Sequence, residues 1–271
     1  MNLPSPITSH SNARVKALRA ASNGDAFEPG DLLAIEGENL IREAIRSGVL
    51  FDTVFVREGN EHSLRRRSFD GLEAANWAVL SRDVFAGAVD TVSPQGIAAV
   101  IAIPKVAAFD FRHGPSVALV IESLQDPGNL GTLLRSAEAF GVKQVFVTSD
   151  TVNRWNPKAV RASAGSVFRV PVVRAPVAAA KEFLGRFGYK LFAAVTQLQG
   201  ATPVMEANLQ APCALLIGNE GAGLSFAAVG LADARVHIPC AVESLNAAIA
   251  GSTLMYEALR QNLVRSAEGT A

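Results

Sequence analysis

Short apolar runs alternate with amphipathic and polar stretches along the whole chain, the pattern of strands and helices taking turns in an α/β protein. Residues 9–19 open on capping residues and predict a short basic helix, and 32–35 predict a strand. Residues 39–47 carry Leu40, Ile41, Ala44 and Ile45 at helical spacing before Gly48. A strand at 51–56, the run 77–80, a capped helix from near Ser81 to Gly87, and the run 97–103 complete a small α/β domain. In the second half, Val117–Ile121 is a continuous apolar strand ending in a Pro-Gly-Asn turn, 127–129. A helix over 132–140 and a strand at Gln144–Val147 follow, with another strand at 191–195. The apolar run 215–217 reads as a buried strand. It stops at Gly218-Asn219-Glu220-Gly221-Ala222-Gly223, with a helix start near Ser225. A short strand before Pro239, a turn, and a helix of small residues from Ser244 through 259 end the pattern.

The stretch 104–115 begins and ends in proline and has no clear period, as a boundary does. The organisation expected is therefore 1–103, a linker at 104–115, and 116–271. Arg65-Arg66-Arg67 falls in a polar stretch expected to be exposed. No internal repeat and no low-complexity segment is present.

Composition narrows the classes. With 49% hydrophobic and 18% charged residues the chain is that of a globular protein with a sizeable core. Cys213 and Cys240 are far apart, with no CxxC pair and no histidine cluster. Neither a disulfide framework nor a metal site is expected, and a reduced, cytoplasmic setting is. The first residues lack a signal-peptide pattern and no apolar run is long enough for a membrane span.

The net charge is zero, so distribution matters more than sum. Between Arg154 and Lys190 there are eight basic residues against one acid, Glu182, a surface suited to phosphate unless it is merely solvated. Residues 1–105 hold 11 basic and 13 acidic side chains, so a polyanion contact there must be local, for example through Arg14 and Lys16.

Three stretches carry the candidate chemistry. In open α/β sheets ligands sit beyond the carboxyl ends of strands, and glycines let backbone groups approach them closely. The turn 218–223 has that form, although an ordinary tight loop has it too. A dinucleotide fingerprint after the first strand of the domain is missing, and so is a Walker sequence, which argues against other nucleotide-dependent α/β enzymes. Asn129 and Arg135 are six residues apart and are expected to share a helix face near the strand's carboxyl edge. Arg135 taken alone is more readily explained by pairing with Glu138, three residues on. None of the four histidines is assigned chemistry.

Asp126-Pro127-Gly128-Asn129-Leu130-Gly131 with Arg135, then Gly218-Asn219-Glu220-Gly221, then Ile238-Pro239 with Glu243-Ser244-Leu245-Asn246, resemble in order the three motifs of the SpoU (TrmH-like) family of RNA ribose 2′-O-methyltransferases, within the SPOUT superfamily. The resemblance covers about 117–262. Ser11-Asn12-Ala13-Arg14-Val15-Lys16 and Ile35-Glu36-Gly37-Glu38 similarly resemble the ribosomal-protein-like substrate-binding domain often attached to such enzymes. The resemblance implies a parallel-sheet domain with a deep trefoil knot, S-adenosylmethionine as cofactor, a homodimer, and RNA as substrate, ribosomal rather than transfer RNA because of the extra domain. It implies cofactor contacts at Gly218, Asn219, Ile238 and Leu245, with Thr196 as a further loop position. Glu220, Ser244 and Asn246 would shape the methyl-transfer geometry, Asn129 would position substrate or the arginine, and Arg135 matches the arginine held to activate the ribose hydroxyl. Residues 156–165 also look like a family feature, with Lys158 and Arg161 expected on RNA phosphate. One departure stands out: four residues, Cys240-Ala241-Val242-Glu243, separate Ile-Pro from Ser-Leu-Asn, where the family usually has a longer glycine-containing loop.

Chemistry modifies the arginine's role. A ribose hydroxyl is a poor nucleophile until its proton is being removed, and guanidinium effectively never deprotonates in proteins. Arg135 is better suited to clamp the neighbouring phosphate, orient the hydroxyl and stabilise developing oxyanion charge. The rival from another class is a noncatalytic RNA-binding or ribosome-assembly factor that keeps the fold but has lost cofactor affinity through the short loop. Both readings require the loops around residues 129, 220 and 245 to meet at one rim of the sheet.

Overall fold

The computed structural model describes residues 4–24, 26–60, 71–72, 75–91, 93–113, 116–196 and 200–268. Arg65, Arg66 and Arg67 lie outside the described residues. Along the chain run α1 (Ala13–Ser22), β1 (Leu32–Glu36), α2 (Glu38–Arg46), β2 (Phe51–Arg57), β3 (Asn76–Leu80), α3 (Arg82–Ala86) and β4 (Ile97–Ala102). Then come β5 (Val117–Ile121), α4 (Pro127–Ala139), β6 (Gln144–Val147), α5 (Pro157–Ala162), β7 (Val172–Arg174), α6 (Val177–Gly185) and β8 (Lys190–Ala194). The last are β9 (Thr202–Pro203), β10 (Cys213–Ile217), α7 (Phe226–Leu231), β11 (Ala234–His237) and α8 (Ala247–Glu268).

Two compact units result, Met1–Lys105 with Trp155–Phe168, and Val106–Arg154 with Arg169–Ala271. In the first, a four-stranded sheet of order β1-β4-β2-β3 pairs β4 antiparallel with both β1 and β2, and β2 parallel with β3. Helix α1 starts where the Asn12 side chain accepts from the Arg14 N–H at 2.9 Å, and it buries Val15, Leu18 and Ala21 with Phe55, Leu80 and Phe85. Helix α5 belongs to this unit. Its Arg161 lies 3.7 Å from Asp90.

The second unit is a seven-stranded sheet of order β7-β6-β5-β10-β8-β11-β9, parallel at every pairing. Its middle strands read as unbroken apolar runs because helices cover both faces: every residue of β5, β6 and β10 is buried. On one face Ala118, Val120, Ala214 and Leu216 pack with Val177, Ala180 and Leu184 of α6 and Ala228 of α7. On the other lie α4 and α8, close enough that a Cβ on Gly251 would meet Leu133 Cδ2 at 2.4 Å. Within the proline-bounded stretch, Phe111 is buried in the second unit against Phe109, Phe146, Phe183, Phe187 and Tyr189. That segment is therefore an anchored strap, which an aperiodic sequence conceals.

Two expected helix starts move. Helix α4 begins at Pro127, five residues before the expected Thr132, because proline suits the first helical position and the Asp126 carboxylate accepts from the Asn129 N–H at 2.8 Å. Helix α8 is capped by Asn246, whose Oδ1 accepts from Ala248 and Ile249 N–H at 2.9 and 3.2 Å, and not by Ser244.

Candidate active site

Three parallel strands of the second unit, β8, β10 and β11, end at one cavity of about 480 Å³. That volume is ordinary for a small-molecule site. Its walls are the residues that follow each strand: Val195 and Thr196 after β8, the turn from Gly218 to Leu224 after β10, and Ile238 after β11. The loop of Cys240, Val242, Glu243, Ser244 and Leu245 adds the remaining side, so the short loop still reaches the cavity.

The β10 turn is held by its own chemistry. Asn219 and Gly223 exchange backbone hydrogen bonds at 3.0 Å in both directions, and Asn219 Oδ1 accepts from the N–H groups of Gly221 and Ala222. Gly218 is buried against the returning strand, where a Cβ would stand 2.4 Å from the Gly223 carbonyl carbon and 2.5 Å from Leu224 N. Only glycine fits that approach. Asn219 Nδ2 donates to the carbonyl of Ser123, which adopts φ +56° at the end of β5.

The three loops meet through side chains. Asn129 Nδ2 donates to Glu220 Oε1 at 3.0 Å, and Asn129 Oδ1 accepts from Asn246 Nδ2 at 3.0 Å. Glu220 also accepts from the backbone N–H groups of Asp126 at 2.9 Å and Gln125 at 3.2 Å. Burial pushes its carboxyl upward, but the hydrogen bonds from Asn129, Asp126 and Gln125 outweigh that and hold it below the usual carboxylate range. Glu220 is thus an anionic acceptor with its lone pairs committed, a poor proton acceptor for chemistry.

Arg135 departs from the expectation in two respects. With Asn129 and Arg135 both in α4, six steps at ~3.6 residues per turn set them roughly 120° apart, so they do not share a face. Nor does Arg135 pair with Glu138. Glu138 is taken by Arg169 at 2.5 and 2.9 Å, and the exposed Arg135 side chain has no hydrogen bond or ion pair among the described residues.

Of the other residues singled out in the sequence, Gly218, Asn219, Glu220, Ile238, Ser244, Leu245 and Thr196 line the cavity, and Asn129 and Asn246 join it through Glu220. Arg14, Lys16, Lys158 and Arg161 are exposed and belong to the first unit, where Arg14 Nη1 donates to the Trp77 carbonyl at 3.4 Å. Sequence reasoning missed Glu122, which accepts from Ser225 N–H at 2.9 Å and Ser225 Oγ at 2.7 Å and so ties β5 to the start of α7. It also missed Arg169 as the partner that leaves Arg135 open. A carboxylate directly after a buried strand was the available signal for Glu122; nothing local marked Arg169. Cys213 is buried, which pushes its thiol up to about 12, whereas Cys240 is exposed at the cavity. Among the described residues no group of His, Cys, Asp and Glu could hold a metal ion, and no helix is long and apolar enough to cross a membrane.

An all-parallel α/β unit with a glycine-framed cavity beyond its strand ends, in a chain that also carries a separate small α/β unit, defines a two-part protein with a candidate ligand site. Residues 116–256 match the model of the SpoU rRNA methylase family, and residues 34–107 match that of the RNA 2′-O ribose methyltransferase substrate-binding domain. The chain belongs to the SpoU rRNA methylase family. Among its relatives, RlmP of Bacillus subtilis (strain 168), named a 23S rRNA (guanosine(2553)-2′-O)-methyltransferase, is 32% identical over 92% of this chain and 97% of its own. The crystal structure of an RNA 2′-O ribose methyltransferase superposes with a TM-score of 0.79 at 30% identity, covering 95% of this chain and 99% of that one. AviRb of Streptomyces viridochromogenes, a SpoU methyltransferase solved in complex with AdoMet, gives a TM-score of 0.73 at 27% identity over 93% and 100% of the two chains.

Proposed function

We propose that the protein methylates a ribose 2′-hydroxyl of ribosomal RNA with S-adenosylmethionine as methyl donor. The observation that carries this reading is the Glu220–Asn129–Asn246 chain of hydrogen bonds at the cavity, in a protein whose two parts both match RNA 2′-O-methyltransferase families. The cavity suits the cofactor: Ile217, Ile238, Leu245 and Ala247 give apolar wall, and the glycines of the β10 turn expose backbone groups. Gly218, Asn219, Ile238, Leu245 and Thr196 would hold it. When bound, it supplies a methyl group activated on a sulfonium.

The chain's own residues then have distinct tasks. Arg135, with no hydrogen bond or ion pair among the described residues, clamps the phosphate beside the target ribose and stabilises negative charge developing on the 2′-oxygen. Asn129 has its amide fixed in one orientation by Glu220 and Asn246, and so holds the lip of the cavity in register with α4. Ser244 and Asn246 set the loop over the reacting atoms. The hydroxyl proton leaves to phosphate or water, since Arg135 cannot accept it and the Glu220 carboxylate is already hydrogen-bonded.

The first unit delivers the RNA, with Arg14, Lys16, Lys158 and Arg161 on phosphate. The active form is a homodimer, a reading supported by the exposed stripe of Ile249, Tyr256 and Leu263, seven residues apart along α8. The placement of β10 between β5 and β8, with α8 packed back on α4, supports a knotted C-terminal segment.

The direct test incubates the protein with radiolabelled S-adenosylmethionine and unmodified ribosomal and transfer RNA, followed by nucleoside analysis. A 2′-O-methylnucleoside in ribosomal RNA is expected. Methylation of transfer RNA alone would overturn the substrate, and a protein that binds no cofactor at millimolar concentration in calorimetry would overturn the reaction in favour of an assembly factor.

A further inference from the structure

We propose that Phe226 and Arg235 form a nucleotide subsite on the wall of the cofactor cavity, where a base of the RNA substrate stacks on the phenyl ring and a phosphate meets the guanidinium. The proposal rests on the RNA methyltransferase reading and adds to it where the substrate is gripped.

Phe226 is 99% exposed, more than any other large apolar side chain among the described residues. It opens α7, directly after the Ser225 cap that Glu122 holds. On a helix the residues three and four positions on lie over a side chain. Here they are Val229 and Gly230, and all three line the cavity. Gly230 leaves the ring uncovered: a Cβ built there meets nothing within 4 Å. The space next to α7 at this position is therefore open, and only a long side chain at 230 would extend over the ring.

Arg235 lines the same cavity from β11. Its neighbours along the strand are turned inward, with Val236 and His237 buried, while Arg235 itself is exposed. It has no hydrogen bond or ion pair among the described residues, unlike Lys181, which pairs with Asp233, and Arg169, which pairs with Glu138. Of the two carboxylates on the cavity wall, Glu220 is committed to Asn129 and backbone N–H groups, and Glu243 belongs to the 240–245 loop.

An uncovered ring and an unpaired cation on the walls of one cavity form an arrangement that suits single-stranded RNA: any base offers a π-face, and its backbone offers the anion. A second copy of this chain would bury the ring by apolar contact, whereas RNA meets the ring and the cation with one ligand. The charge favours RNA.

The test uses in-vitro-transcribed, unmodified 23S ribosomal RNA as probe, with direct binding and steady-state methylation measured side by side. Phe226→Ala is expected to weaken RNA binding about tenfold and raise KM for RNA in proportion, with kcat and the S-adenosylmethionine Kd unchanged. Phe226→Trp restores binding. Gly230→Leu, which keeps the ring but covers it, weakens binding as Phe226→Ala does while the thermal midpoint holds or rises. Arg235→Gln lowers the slope of log affinity against log salt by about one. RNA affinity of Phe226→Ala within about twofold of the parent overturns the subsite, since surface substitutions without a partner have effects of that size. So does a loss confined to S-adenosylmethionine binding, or a shift of the dimer–monomer equilibrium. If the parent protein transfers no methyl group to RNA, the proposed reaction fails, and the binding arm still decides the subsite. If the parent methylates RNA and the variants match it, the subsite alone fails.

Discussion

Asn246 donates its side-chain amide to the Asn129 carbonyl oxygen at 3.0 Å, so the cap of the last helix is fastened to the first turn of α4 from the other end of the unit. Asn129 passes the contact on to Glu220. This part of the cavity lip is thereby one hydrogen-bonded unit, with the Glu220 carboxylate as the acceptor at its end.

That carboxylate should make stability pH-dependent. Glu220 is held below its ordinary value of 4.5 in the folded protein, so the stability it contributes is complete above that value and is lost as pH falls through the folded pKa. Urea unfolding at neutral and acid pH should show the parent losing this increment, and Glu220→Gln, which has no charge to titrate, should lack it. The two curves converge in acid. A constant gap at all pH values would show that the ionised form carries no special stability.

Arg135 should matter to rate and not to folding. Its side chain is exposed and makes no hydrogen bond or ion pair among the described residues, so Arg135→Ala should unfold within about 0.5 kcal/mol of the parent, as partner-free surface substitutions do. Methylation should fall by roughly a hundredfold or more, the scale of losing one preorganised charge donor. Arg135→Lys keeps the cation and should retain substantial activity under saturating RNA. Activity as low as that of the alanine variant would refute a simple charge clamp.

Arg169 should guard Arg135 indirectly. Removing it leaves Glu138 without its 2.5 Å partner, three residues after Arg135, within pairing distance on a helix. Arg169→Ala should therefore slow methylation while costing no more than about 1 kcal/mol of stability, since the pair is partly solvated. Adding Glu138→Ala should restore the rate. A double variant as slow as the single one would place the Arg169 effect elsewhere.

Gly218 admits no side chain. Its Cβ would overlap backbone atoms of Gly223 and Leu224, which cannot swing aside as a flexible side chain can. Gly218→Ala should destabilise by about 1–3 kcal/mol through overpacking. It should also weaken S-adenosylmethionine binding, by up to about a hundredfold if the turn shifts by an ångström. Calorimetry on the folded variant reads this, and unchanged affinity would remove the turn from the cofactor site.

The α8 stripe should govern association. Tyr256→Glu with Leu263→Glu places two charges in the exposed apolar row without touching buried Leu254, Met255 or Ala258. Light scattering should report a dimer for the parent and a monomer for the variant. A variant that stays dimeric would show that the contact lies on another surface.

Much of this was legible because parallel strands covered on both faces must be continuous apolar runs. Val117–Ile121 and Gln144–Val147 stand out from the sequence with the bounds they have in the fold. What escaped depended on distance in the chain. Pro127-Gly128-Asn129 carries the composition of a turn, yet the Asp126 cap converts it into the first turn of α4. Asn246 and Ser244 are equally good caps by residue type, and in the fold it is Asn246 that accepts from the Ala248 and Ile249 N–H groups while donating to Asn129. Strand β9, two residues long, has no pattern of its own and exists by pairing with β11. The glycine turn and its carboxylate could be read as a ligand loop, but that Glu220 serves as a hydrogen-bonded anchor follows only from Gln125 and Asp126 lying beneath it.

Strand β10 pairs with β5 on one side and β8 on the other, although it is made after both and long after β5. A nascent chain emerging from the ribosome thus holds two apolar strand edges that wait for Cys213–Ile217 to seal them, and such unfinished edges invite misassociation. Because the last wall of the cavity comes from residues further on still, Ile238 to Ala250, a product that stops before them lacks part of the ligand pocket.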